Sequence, residues 1–385
     1  MTGARVRATA GDPAADRPPH RRAARMAVPP GLVVALIGAV LLIVLSPTGD
    51  PAAVPTGPVP ADQAWAGARR AETPGPMPDG PAYRPGYFLT LDTSVGTAPT
   101  PDGRQLRLVS RATDGTGREL RRLPITSSPQ FDGFVAADGR LAWAESTVGS
   151  AGQARVRLWT ADLARGDPPR ELTADTGAVA FFNADHDMVI ADGRLHWVAV
   201  APGDEPATEI RSVALTGGPV AVRRERGAWA LDRWPWLVSV TAGVEPVRLR
   251  NLTTGVLITV KSAPTEQLSC GGTWCRVSTV SGAGPVNIDL MRPDGSDRRP
   301  VVNGVGVVSV TDVALLDRFE VYAVGAADAS LTAGQHLMAY DLKTRRTVDI
   351  VPDAGVVQAR AGVLWWSTGR DEATVWHAVD LRTIG

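Results

Sequence analysis

The sequence predicts an all-β fold: a β-propeller of six to seven four-stranded blades, preceded by a single N-terminal transmembrane helix and a Pro-rich stalk. Three observations predict it. A strand pattern recurs seven times, its copies lie about 45 residues apart on average, and no ten-residue stretch beyond Leu45 carries the 3.6-residue apolar period of a helix.

The recurring segments are RLVSRAT from Arg107, LWTADL from Leu158, IRSVAL from Ile210, VRLRNL from Val247, NIDLMR from Asn287, LMAYDL from Leu337 and VWHAVDL from Val375. Alternation within each copy has the period of a half-buried strand, and turns such as DGTG, TGG and TTG follow most of them. With Ala112, Leu163, Leu215, Leu252, Arg292, Leu342 and Leu381 taken as equivalent, the spacings are 51, 52, 37, 40, 50 and 39 residues, the length of a four-stranded blade. Upstream of most copies stands an aromatic-rich strand, at Leu141, Leu195, Trp236, Trp274, Phe319 and Val363. These read as second strands whose rings pack between blades. Two of them follow nearly the same phrase, AADGRLAW and IADGRLHW, in which Asp138-Gly139 and Asp192-Gly193 supply the positive φ of a two-residue hairpin turn.

These endings (YDLKT, DLART-like), the ADGRLxW hairpins and the blade length resemble the TolB-like propellers and their WD-type relatives, particularly the membrane-anchored versions of high-GC bacteria. The resemblance covers Tyr83 to Gly385 and specifies a fold rather than a task. It implies that the ring closes with a strand borrowed from the other terminus, and Tyr83 to Asp92 is the segment expected to supply it. YFLTLD, within that segment, suits the second strand of blade one equally well, so six and seven blades both stand.

Before the propeller the chain divides into a basic tail (1–27), an apolar segment (28–46) and a linker (47–82), leaving 83–385 for the ring. GLVVALIGAVLLIVL contains no charge or amide, and with its flanks a helix of about 28 Å spans the hydrocarbon of a bilayer. Arg5, Arg7, Arg17, Arg21, Arg22 and Arg25 all precede it, so the positive-inside rule puts the N-terminus in the cytoplasm and the propeller outside the cell membrane. A cleaved signal peptide is the competing reading; LSPTGDP offers it no well-placed small-x-small site. Nine prolines between Ser46 and Pro81 make the linker a semi-rigid extended spacer, with room for a short helix around Ala61 to Ala71.

Lys plus Arg number 40 and Asp plus Glu 40, so there is no basic field to draw the chain onto nucleic acid. Cys270 and Cys275 are the only cysteines; four residues separate them where a hairpin is expected, and in an oxidising compartment they form a disulfide. SCGGTW resembles the end of a sialidase Asp-box, but Ser269 and Gln267 stand where that motif needs Asp and Ser. The densest acid–base group is Asp185, His186 and Asp187, the first candidates for catalysis if the propeller has an active face; the bland alternative is a polar loop. His196, His336 and His377 fall in or beside strands. Trp229, Trp234, Trp236, Trp365 and Trp366 could stack on sugars but more often such rings fill space between blades. The turn sequences resemble those of quinone-cofactor propellers without their recurring Trp. No phosphate-binding glycine loop, nucleophile elbow or HExxH occurs. The sequence therefore predicts no cofactor site and no metal site. It predicts an extracytoplasmic binding or scaffolding propeller for a protein, peptide or envelope polysaccharide, with a glycan- or peptide-acting hydrolase or lyase as the alternative.

Overall fold

The computed structural model describes residues 57–149, 152–240, 245–280, 286–304, 306–324 and 334–385. The basic tail, the apolar segment 28–46 and the front of the linker lie outside the described residues. Among those described, no helix is long and apolar enough to cross a membrane.

Seven sheets follow one another along the chain. Blade 1 comprises Arg84–Thr90, Thr93–Pro99, Gln105–Ala112 and Gly117–Pro124, and blade 2 Gln130–Ala137, Arg140–Val148, Ala154–Asp162 and Arg170–Thr173. In blade 3 the inner strand is split into Ala178–Val179 and Met188–Ala191, both paired with Arg194–Val200; Ala207–Ala214 and Ala221–Arg226 complete the sheet. Blade 4 runs from Trp229–Leu231 to Leu257–Thr259, blade 5 from Glu266–Gly271 to Arg299–Val302, and blade 6 from Gly306–Val308 to Arg346–Ala354. Blade 7 has only three strands of its own, Val357–Arg360, Val363–Thr368 and Val375–Asp380.

All seven recurrent segments are third strands, and the six aromatic-rich segments are second strands. The DG hairpins have both residues at positive φ, Asp138 at 51° and Gly139 at 74°, Asp192 at 50° and Gly193 at 71°. A right-handed twist is continued by such turns, which is why the same dipeptide serves both blades.

The ring closes differently from the expectation. Arg70–Pro74, not Tyr83–Asp92, supplies the fourth strand of blade 7, antiparallel to Val375–Asp380 with Glu72 opposite His377. Val59–Pro60 adds a parallel edge to blade 6 against Val348 and Asp349, and the short helix Ala61–Ala64 follows. From Val59 onward, then, the stretch assigned to the linker belongs to the propeller. Pro60 and Pro74 are tolerated because they end outermost strands, where an amide hydrogen is not needed for the ladder, and Pro76, Pro78 and Pro81 lie in the connection to blade 1. YFLTLD, read as a closing strand or a second strand, is neither: it belongs mostly to the innermost strand of blade 1. The true second strand, TSVGTAP, lacks the aromatic rings of its counterparts. Gly96 within it is obligatory, since a Cβ there would lie 2.1 Å from the Arg84 carbonyl oxygen.

Each blade hides its apolar face against the next. Tyr87, Leu108 and Leu120 of blade 1 pack with Phe131, Leu141 and Trp143 of blade 2. Leu158 of blade 2 meets Met188 and Trp197 of blade 3, and Ile210 of blade 3 meets Trp229 and Leu237 of blade 4. The series ends with Phe88 and Leu91 of blade 1 against Trp365 and Trp376 of blade 7. Trp143, Trp197 and Trp365 are fully buried, each contributing about 4–6 kcal/mol of gross apolar burial. Trp65, after the short helix, is buried edge-on against Phe319 at 5.6 Å and plugs the seam between blades 6 and 7.

Candidate functional site in the central channel

The split inner strand of blade 3 creates the most unusual feature of the ring. Ala180 donates to the Val198 carbonyl and Met188 pairs with Trp197, so the residues between them leave a ladder that continues on either side. Phe181 and Phe182 anchor the excursion, packing respectively with the blade 2–3 and blade 3–4 cores. Gly133 of blade 2, at φ 60°, makes room: a Cβ there would lie 3.1 Å from the Phe181 ring. Asn183 takes φ 57°, a conformation Asn accepts more readily than most residues.

The polar tip reaches blades 6 and 7. The Asp185 amide donates to both carboxylate oxygens of Asp312, at 3.1 Å each. The Ala361 amide donates to the Asp185 carboxylate at 2.9 and 3.0 Å. Arg360 donates to the Asn183 side-chain oxygen at 2.9 Å and to the Ala184 carbonyl. Asp187 turns inward and caps the loop itself, accepting from the amides of Phe182 at 2.7 Å and Ala184 at 3.1 Å. Burial raises its carboxyl above the ordinary value, with those two amides and Arg360 opposing the shift. Asp312 is pushed up to about 6, first by burial and then by the negative charge of Asp185; the Asp185 amide, His186 and Arg360 act in the other direction.

The receiving segment is held from behind. Arg276 of blade 5 and Glu320 of blade 6, 2% and 0% exposed, form a buried ion pair. Arg276 also donates to the Asp312 carbonyl at 2.7 Å, and Glu320 accepts from the Ala314 amide at 2.8 Å. Neither residue was expected to matter, although a charged side chain inside an otherwise apolar strand, as in FEVYAV, is the signal that marks it.

On one side of the excursion lies a cavity of about 240 Å³, between blades 4 and 5. His186 from the loop, Asp232 from blade 4 and Asp312 from blade 6 all line it, with Leu231, Val238 and Leu268 among its apolar walls. Thus the structure puts Asp185, His186 and Asp187 at the channel, brings His186 together with acids of two other blades, and withdraws Asp187 into a structural cap. Asp312, Asp232 and Arg360 join the site without having been singled out in the sequence; each stands in a loop or at a strand end, and only the ring's closure brings them to one site.

The remaining candidates fall elsewhere. Cys270 and Cys275 are directly opposed in the inner hairpin of blade 5 and form the disulfide, with Cα atoms 4.0 Å apart. His196 is buried with its ring 3.9 Å from that of Trp234, and burial lowers its pKa. His336 pairs with Asp349 at 2.8 Å; His377 bonds Thr368 at 2.7 Å and Glu72 of the closing strand at 3.2 Å. Trp229 and Trp365 are core residues, Trp234 and Trp236 pack partly buried against the blade 3–4 and blade 4–5 cores, and Trp366 stacks on His377. Among the described residues, no three His, Cys, Asp or Glu side chains are grouped so as to hold a metal ion.

No family model and no curated protein matches the chain. Solved structures do. An acylaminoacyl peptidase of Pyrococcus horikoshii is similar at 9% identity and TM-score 0.44, over 63% of this chain and 43% of its own. A puromycin-hydrolyzing peptidase of Mycobacterium tuberculosis reaches 18% identity and TM-score 0.44, over 82% of this chain and 53% of its own. An oligogalacturonate lyase in complex with manganese reaches 12% identity and TM-score 0.46, over 82% of this chain and 98% of its own. This chain therefore spans about half the length of the two peptidases, and similarity at this level carries no argument about activity.

Proposed function

We propose that the chain is a binding or scaffolding propeller, anchored in the cell membrane by the segment 28–46 with its ring on the outer side, and that it recognises a protein, peptide or envelope polysaccharide. The carrying observation is how the candidate acids are used. Asp187 gives both oxygens to amides of its own loop, and Asp185 and Asp312 accept amides that tie blades 3, 6 and 7 together. Acids committed to internal amides serve to shape a surface rather than to exchange protons with a substrate. Affinity capture with the tagged full chain from envelope extracts tests the reading: a partner recovered in several detergents and lost when the channel loop is altered supports it, and recovery of nothing specific contradicts it. Protease treatment of intact spheroplasts tests the topology, with digestion of the ring from outside as the expected result.

A second reading, a hydrolase or lyase acting on a glycan or peptide, is favoured by one observation: Asp312, pushed up to about 6, shares a cavity with His186 and Asp232. Turnover of an envelope glycan or peptide that disappears in Asp312→Asn would establish it.

A further inference from the structure

We propose that the cavity between blades 4 and 5 is a binding site for a small organic cation, an ammonium on an apolar stem, with Asp232 as its counter-charge. The proposal rests on the binding reading and names the chemistry of the site. Among the described residues, two aspartates line this cavity and no lysine or arginine does. Asp232 is 8% exposed, so little water competes for its charge. One of its oxygens, Oδ2, accepts the Gly272 amide; Oδ1 has no hydrogen-bond partner among the described residues. The nearest cation in sequence, Arg233, bonds Asp317 at 3.0 Å and meets the Asp232 charge through space, with no hydrogen bond to it among the described residues. A largely buried carboxylate with one oxygen on the wall of a concave space suits a positively charged donor.

The rest of the lining sets the size and shape of what fits. Leu231, Val238 and Leu268 make the wall apolar, and about 240 Å³ accommodates a single residue-sized group rather than a larger ligand. Asp312 adds a second acid to the lining, opposite in sign to the proposed ligand. The same chemistry is carried by a free alkylamine and by the N-terminus of a polypeptide.

Isothermal titration of the full chain with n-pentylamine, n-pentanol and a tripeptide in free and N-acetylated forms tests the site. Saturable binding of pentylamine at least about tenfold tighter than pentanol is expected. Preference for the free tripeptide over its acetylated form assigns the ammonium to a polypeptide, and preference for pentylamine assigns it to a free amine. Asp232→Asn keeps an acceptor for the Gly272 amide and should abolish the discrimination; Ser269→Lys, at an exposed position on the cavity rim, should block both ligands by placing an ammonium of its own there. Equal affinity for amine and alcohol, binding of neither amine nor tripeptide, or unchanged binding in both variants overturns the site. A partner still captured by the full chain under those outcomes leaves the broader binding reading intact.

Discussion

Blades 2 and 3 carry nearly the same hairpin phrase, AADGRLAW and IADGRLHW, yet their inner strands begin in different ways. In blade 2 the inner strand Gln130–Ala137 follows its partner continuously apart from a bulge near Asp132. In blade 3 the corresponding strand breaks after Val179 and resumes at Met188, and the residues between span the channel to blades 6 and 7. The hairpin fixes where the inner strand finishes, because the DG turn and the Trp four positions beyond its glycine must sit in register. It leaves the beginning of the strand free, and that is where the chain inserts a feature of its own.

The largest effect should come from the support behind the loop. Glu320→Ala leaves Arg276 buried and unpaired and frees the Ala314 amide, and should cost about 3–5 kcal/mol in denaturant unfolding. A loss under about 1 kcal/mol would mean that the receiving segment does not depend on the pair. Next, Asp187→Ala should cost about 2–3 kcal/mol, since two loop amides lose their acceptor. Asp132→Ala in blade 2 should lie within about 0.5 kcal/mol of the parent, because Asp132 accepts no hydrogen bond among the described residues. Equal costs at the two positions would erase the difference between the blades.

Acid provides a third comparison. Asp312 binds its proton more tightly in the folded than in the unfolded chain, so between pH 4 and 6 folding takes up a proton. Its contribution therefore favours the fold below about pH 4 and is lost as pH rises through about 6, an effect on the order of 3 kcal/mol that Asp187 reinforces in sign. Asp312→Asn should flatten the pH dependence of the melting temperature in that window. The smallest cost expected of a structural substitution is the one the blades share, with only the neutral control Asp132→Ala below it: Gly139→Ala and Gly193→Ala each put a Cβ at positive φ in open space, and both should cost about 1 kcal/mol.

The parts of the fold that were legible in the sequence are those where a local pattern and the tertiary arrangement agree. Third strands announce themselves by alternation, second strands by their rings, and the DG turns by the φ they require. The closing strand Arg70–Pro74 did not, because an outermost strand has one free edge, tolerates proline at its end, and buries only Thr73 fully. TSVGTAP escaped for a related reason: a glycine is needed where the Arg84 backbone approaches, and it displaces the aromatic signature. In the channel, Asp185 to Asp187 stood out by density alone. Their partners Asp312, Arg360 and Ala361 lie more than a hundred residues away, and no spacing in the chain connects them.

Native-state hydrogen exchange at the Asp185 and Ala361 amides tests most directly whether the loop is bolted across the channel by its own acids. Protection well above the free-peptide rate at both amides, lost at Asp185 in Asp312→Ala while blade-core amides keep theirs, is the predicted result. Exchange of both amides at the free-peptide rate in the parent protein would contradict it, and would return Asp185 and Asp312 to the pool of acids open to a substrate.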